Sequence, residues 1–258
     1  DSMLGRAPQR AVALRPLAAA GVYKTRCKGS SVGLCGGLGE WKEGSVRTTL
    51  GAMQDALTFE QARLVVVVYT SALVPIVLVP WLRSRQRIPS WIPVVYAGSF
   101  VVCALGWELW FTYGWWAGDP VDVRRAAALN AWIPMNINWL LNSLADAGTI
   151  CLGGIYWVWR FRGRSYAAFS HWDWGAFGIL LVWFLGQNIG VEMFLYHDQL
   201  AEGKPLSWAP LVPTGPWINP TLFQFNGRTI TLQGQIAWVV MTPLFYGAVI
   251  AYVRRRQA

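Results

Sequence analysis

The segment LVVVVYTSALVPIVLVPWL, residues 64–82, crosses the length of a bilayer's hydrocarbon core without one charged side chain. About 20 such residues is what a transmembrane helix requires. Four further segments repeat the pattern with more polar content: WIPVVYAGSFVVCALGWELWFTY (91–113), NINWLLNSLADAGTICLGGIYWV (136–158), WGAFGILLVWFLGQNIGVEMFLY (174–196) and LQGQIAWVVMTPLFYGAVIAYV (232–253). The reading that follows is an all-α, polytopic membrane protein, a bundle of five transmembrane helices. Composition agrees. Of 258 residues, 54% are hydrophobic and only 14% charged, 17 are Trp, and the mean hydropathy is +0.33, which excludes both a soluble globule and a disordered chain. Four Cys, with Cys103 and Cys151 inside apolar runs, exclude a disulfide scaffold.

The formal charge of +9 would suggest nucleic acid in a soluble protein, but its placement points to topology instead. Arg83, Arg85 and Arg87 follow the first span, Arg160, Arg162 and Arg164 the third, and Arg254, Arg255 and Arg256 the fifth. The other two connections are balanced, Asp119 and Asp122 against Arg124 and Arg125, then Asp198 and Glu202 against Lys204 and Arg228. The positive-inside rule makes the C-terminus cytoplasmic and puts the N-terminus on the opposite side, in an integral multi-pass protein of the ER membrane if eukaryotic or the inner membrane if bacterial.

Domain organisation is uneven. Residues 1–63 form a basic, disordered N-terminal extension; residues 1–52 hold eight Lys/Arg against three acids, with no apolar core of signal-peptide type. A natural start at Met53 is the simpler expectation, a transit-like segment the alternative. Residues 64–258 form the transmembrane domain, with an extended loop at 197–231 that holds five of the 14 Pro. A connection this long is expected to cap or serve a site, and Trp208 and Trp217 suit a lid lying on the headgroups.

Chemistry is expected where lipid would not tolerate the residue. Glu108, Asp146 and Glu192 are carboxylates inside spans, and intramembrane acids are functional candidates by default. Asn138, Asn142 and Asp146 fall at i, i+4 and i+8, one helix face. Gln187, Gly190, Phe194 and His197 make a second stripe, and Gln235, Trp238 and Thr242 a third. Facing inward, these would enclose a polar cavity in which a buried carboxyl stays neutral and can donate a proton. Trp107, Trp110, Trp115, Trp116, Trp139, Trp157, Trp183 and Trp238 lie in or beside the spans, and indole faces attract cations. Most serve as interface belts; Trp238, mid-span beside Gln235, lines the site. With His171 and His197 on separate connections and no Cys-x-x-Cys, no metal site is expected. GQNIG at Gly186–Gly190 is a small-residue helix-packing pattern rather than a nucleotide loop.

The runs GWELWF, DAGTICLGG, GQNIGVEMFL and QIAW followed by Pro243 resemble, in order and spacing over about residues 85–255, the EXPERA-domain family of the emopamil-binding protein and the sterol delta-8,delta-7 isomerases. The resemblance implies Glu108 and Asp146 as acid/base carboxylates, Trp238 as the cation-stabilising ring and Gln235 as the assisting amide. Trp107, Trp110, Asn142, Gln187, Glu192 and Phe194 complete the expected substrate contacts. It also implies that Glu108, Asp146, Gln235 and Trp238 share one cavity with the first helix outside it. Three positions depart from the family: Ala104 stands where a His precedes the first Glu, Asp146 where a second Glu stands, and Gln235 where an Asn stands. These departures favour carbocation chemistry on another polycyclic or isoprenoid molecule over sterol double-bond migration.

The expected function is thus a membrane-embedded isomerase or terpene cyclase acting on a sterol-like or terpenoid substrate without a cofactor. Its partners are that hydrophobic small molecule and membrane lipids, not nucleic acid, with room for a homodimer. A non-catalytic sterol- or lipid-binding receptor of the sigma-2 type, an unrelated membrane terpene cyclase such as those of fungal meroterpenoids, and a structural subunit are the alternatives.

Overall fold

A computed structural model describes residues 57–114, 118–196 and 199–257. Expectations for the extension up to residue 56 and for Trp115, Trp116, His197 and Asp198 lie outside the described residues.

The first helix, α1 (Phe59–Ser84), begins earlier than hydropathy alone suggests. Thr58 is its N-cap. The Thr58 hydroxyl accepts from the Gln61 N–H at 3.1 Å and Gln61 Oε1 accepts from the Thr58 N–H at 3.1 Å, a reciprocal capping box. Residues 59–63, expected in the extension, are therefore helical. Next come α2 (Ile92–Leu105) and α3 (Trp107–Tyr113), bent by 43° at Gly106, then the short α4 (Val121–Arg124) and α5 (Ala127–Trp132). A run of helix from Met135 to Phe161 follows in three pieces: α6 (Met135–Ala145), a π-helical stretch (Asp146–Leu152) and α7 (Gly153–Phe161). The helix α8 (Trp174–Gly190) also ends in a π turn (Val191–Leu195), and α9 (Leu232–Gln257) closes the chain.

Among the described residues, three helices, Phe59–Ser84, Trp174–Leu195 and Leu232–Arg256, are long and apolar enough to cross a membrane, and α2 with α3 makes a fourth when the bent pair is counted as one. The expected third span is helical throughout, but no one of its three pieces reaches spanning length. The all-α expectation needs a correction. Strands β1 (Thr221–Phe225) and β2 (Arg228–Thr231) form an antiparallel hairpin inside the 197–231 connection. Asn226 and Gly227 turn it with φ of 48° and 76°, the paired left-handed conformation that favours Asn-Gly.

Packing follows from small residues on the Met135–Phe161 run. A Cβ on Gly148 would stand 2.4 Å from Cγ of Pro75 in α1, and one on Gly154 would stand 2.8 Å from Leu180 in α8. Neighbouring helices approach the backbone itself, as in membrane helix packing. Pro75 has no N–H for the Ser71 carbonyl. The hydroxyl of Thr149 donates to that carbonyl across the seam at 2.9 Å, so the proline and its compensation both lie at the α1 contact. Trp139 Nε1 likewise donates to the Ala104 carbonyl beside the Gly106 bend, and Trp183 Nε1 to the Ile150 carbonyl in the π stretch, both at 2.9 Å. One apolar core joins α2, α7, α8 and α9; a smaller one joins α1, α5 and α6. Outward faces stay apolar too, with Val66, Val77, Val182 and Leu244 exposed.

At the start of α8, Asp173 accepts from the N–H groups of Gly175 and Ala176 and pairs with Arg162 at 2.6 Å. Partial burial acts to raise its carboxyl, but the bonds from Ala176, Arg162 and Gly175 outweigh this and hold it below the usual Asp range. A depressed carboxylate stabilises above its unfolded value and loses that contribution as pH falls through the folded one. Thermal unfolding in detergent should therefore show an acid-side loss of stability that Asp173→Asn removes. In the same assay Gly148→Ala should cost about 1–3 kcal/mol by overpacking against Pro75, whereas Gly98→Ala, with open space around it, should be neutral or stabilising by up to about 1 kcal/mol.

Candidate functional site

The bend at Gly106 aims the first turn of α3 into the bundle. A Cβ there would lie 2.4 Å from the Val102 carbonyl oxygen, so glycine permits the bend and the bend delivers Trp107 and Glu108 inward. Opposite them, Asn138, Asn142 and Asp146 form the stripe that their 3.6-residue spacing implies. All five line a cavity of about 200 Å³, together with Gln187, Glu192 and Trp238. Glu108, Glu192, Trp107 and Trp238 are buried; Asp146 keeps part of its surface open to the cavity.

The contacts within it are specific. Trp107 Nε1 donates to Asp146 Oδ2 at 2.8 Å, and the Trp107 and Trp238 rings meet edge to face with centroids 5.1 Å apart. Thr112 Oγ1 stands 3.5 Å from Glu108 Oε2, and the Asn142 side chain also faces Glu108. Gln235 is buried one turn before Trp238. Its Oε1 accepts from Asn188 at 2.9 Å, while its Nε2 is buried with no partner among the described residues.

Three expected contacts are corrected. Gln235 does not itself line the cavity and reaches it through Asn188, which does. Trp110 packs edge-on against Phe111 outside the cavity. Phe194 is largely exposed, resting on Phe225 of the hairpin at 5.4 Å. The stripe from Gln187 to Phe194 assumed an unbroken α period; Gln187 does line the cavity, but the π turn adds a residue to the repeat, so Val191 and Leu195 face inward where Gly190 and Phe194 were expected. The first helix, expected outside the group, contributes Leu64, Val67, Val68 and Ser71 to the wall.

The lid was only half legible. Trp217 is fully exposed, as an interfacial residue would be, but Trp208 is buried: its Nε1 donates to Glu192 Oε1 at 3.1 Å and its ring lies on Phe111 at 4.7 Å. Arg124 and Arg228 tie the lid to helix ends, and Arg125 ties the elements beneath it. Arg124 donates through Nε to the Ser207 carbonyl at 3.0 Å, through Nη1 to the Asp119 carbonyl at 3.2 Å and through Nη2 to the Phe111 carbonyl. Arg125 holds Asn138 at 3.0 Å, Asn130 at 2.6 Å and the Ile133 carbonyl; Arg228 holds the Tyr196 carbonyl. Phe111, Ile133 and Tyr196 lie at the C-terminal ends of helices, where a cation complements the backbone dipole. Burial pushes the Arg124 guanidinium down to about 9 and that of Arg125 to about 10, so both stay charged at neutral pH. The apparent charge balance of these connections thus conceals three buried structural cations. For two of them the signal in the sequence is the Arg124–Arg125 pair between apolar segments.

No family model, curated protein or solved structure matches the chain. Among the described residues no group of three His, Cys, Asp or Glu could hold a metal ion.

Removing one buried clamp leaves its carbonyls unpaired in apolar surroundings. Arg125→Ala should lower the unfolding free energy by about 3 kcal/mol or more, while Lys204→Ala, which breaks the exposed 2.6 Å pair with Asp119, should cost less than about 1 kcal/mol. Chemical unfolding of both variants in the same detergent checks the contrast.

Proposed function

We propose that the chain is a multi-pass membrane enzyme that isomerises or cyclises a terpenoid or sterol-like molecule by proton-initiated carbocation chemistry. The observation that carries this reading is the meeting of Glu108 and Asp146 with the Trp107–Trp238 pair on one cavity. The fifth span is the helical run Met135–Phe161. All nine arginines of the three triplets are exposed, which supports their shared cytoplasmic side, whereas Arg124, Arg125 and Arg228, on the opposite connections, are buried. An EXPERA-like arrangement is proposed for α2–α9, with α1 as an added wall.

In the proposed reaction the carboxyl O–H of Glu108 gives its proton to one alkene carbon, the π pair forming the new C–H bond. The positive charge left on the other carbon is held against the indole faces of Trp107 and Trp238, worth about 2 kcal/mol or more for a desolvated contact. Asp146, positioned by the Trp107 N–H, takes a proton from an adjacent carbon, whose C–H pair becomes the new double bond, directly or after ring closure. Proton transfer from Asp146 back to Glu108 resets the site, and the molecular formula of the substrate is unchanged. The lid, with Trp208 over Glu192, keeps water from capturing the cation.

The test is solvent-proton incorporation. The full chain in detergent is incubated in heavy water with geranylgeraniol or with a sterol carrying a ring double bond, and the recovered lipid is weighed by mass spectrometry. Deuterium uptake should fall by at least about 100-fold in Glu108→Gln and in Asp146→Asn. Unlabelled lipid that nevertheless binds would favour the second reading, a lipid receptor, which Ala104 at the position of the family's His supports.

A further inference from the structure

A mostly apolar groove of about 660 Å³ lies apart from the acid cavity, between α1 and the π stretch with α7. Val67, Ser71 and Thr149 wall both spaces, and the bond from the Thr149 hydroxyl to the Ser71 carbonyl closes the boundary between them. An occupant of the groove therefore does not meet Glu108 or Asp146. Val74, Leu78 and Tyr156 on its walls are exposed, so it opens sideways, where lipid lies in a bilayer. Along α1 it extends from Val66 to Leu82, about 24 Å at the helical rise, which exceeds the roughly 15 Å of one leaflet's hydrocarbon.

One end of the groove is marked by charge. Leu82 and Ile88, both on its wall, bracket Arg83, Arg85 and Arg87; Trp159 and Tyr166, also on its wall, bracket Arg160, Arg162 and Arg164. Each triplet sits on a turn that folds back on a groove residue. The Arg87 N–H donates to the Leu82 carbonyl at 2.9 Å, and the Arg164 N–H to the Trp159 carbonyl at 2.8 Å. Neither turn contains an acid, and all six side chains are exposed. Of the six, only Arg162 has a carboxylate partner among the described residues, Asp173. The third triplet, Arg254 to Arg256, belongs to α9, which lends no residue to the groove.

We infer that the α1 groove binds an anionic glycerophospholipid, one acyl chain lying between α1 and α7 and the phosphate held by the arginines of the two turns. A guanidinium matches phosphate in charge and in its paired N–H geometry, and basic pockets between membrane helices favour such headgroups. Free phosphate would use the arginines but not the slot. A zwitterionic lipid would use the slot but set its own cation against the arginines. Trp159 and Tyr166, amphipathic rings at this end, suit the boundary between chain and headgroup. The bound lipid is a tie between α1 and the rest of the bundle, not a substrate.

Native mass spectrometry of the full chain in detergent, titrated with phosphatidylglycerol and with phosphatidylcholine of the same acyl chains, tests this. Phosphatidylglycerol should bind at least about tenfold more tightly. Arg83→Gln with Arg87→Gln, and separately Arg160→Gln with Arg164→Gln, should each weaken it by about tenfold or more and leave phosphatidylcholine within about threefold. The same neutralisation at Arg254 and Arg255 should leave both lipids within about threefold. Val74→Trp, which fills the groove, should weaken both lipids; Leu78→Trp, a second groove position, takes its place should that variant fail to fold. Equal affinity for the two lipids, an equal loss from the α9 pair, or unchanged binding in the groove-filling variants would overturn the inference. So would displacement of phosphatidylglycerol by glycerol 3-phosphate at equal concentration, which would assign the arginines to a free phosphate.

Discussion

A backbone carbonyl that an irregular helix releases among apolar side chains must find a donor, because no water is there to supply one. This chain repeatedly breaks its helices and repeatedly answers the break from a neighbouring element. Pro75 is answered by Thr149, the Gly106 bend by Trp139, the π stretch by Trp183, and the ends of three helices by Arg124, Arg125 and Arg228. Each donor comes from a different element than the carbonyl it serves or from the lid. Local irregularity thus becomes long-range cohesion, and the bundle is tied by the very features that would weaken an isolated helix.

The irregularities are also what build the site. A straight continuation through Gly106 would leave Glu108 on another face, and an unbroken α period past Gly190 would turn Phe194 inward in place of Leu195. Trp residues take an unexpected share of this work. Trp107 and Trp208 donate to the two carboxyls Asp146 and Glu192, and Trp139 and Trp183 to carbonyls. An indole brings one N–H on a large apolar body, which suits a donor that must reach a single acceptor without bringing further polarity.

Hydropathy made the helices legible because the demand for apolar length is local. The face shared by Asn138, Asn142 and Asp146 was legible because the α period holds up to Ala145. Phe194 was misplaced because a π turn changes the period without any compositional mark. The hairpin left a readable Asn-Gly signal at 226–227, and the start of α1 a readable Thr-x-x-Gln at 58–61, both overshadowed by the hydrophobic pattern. The burial of Trp208 and of the three arginines was not legible, since an interfacial Trp and a buried Trp look alike in sequence, and the acids in the same connections make these arginines look like balanced surface charges.

The hairpin passes from Thr231 into Leu232 of α9 with no linker. Asn219, buried in the lid, accepts from the Gln233 N–H at 2.9 Å and so fixes where the helix begins. Since each helical residue advances about 100°, strand register and helix phase are geared together: the turn at Asn226–Gly227 sets the azimuth at which Trp238 meets the cavity. Length variation in the lid can therefore be absorbed upstream of Asn219, while downstream of it every added or lost residue would rotate the aromatic wall.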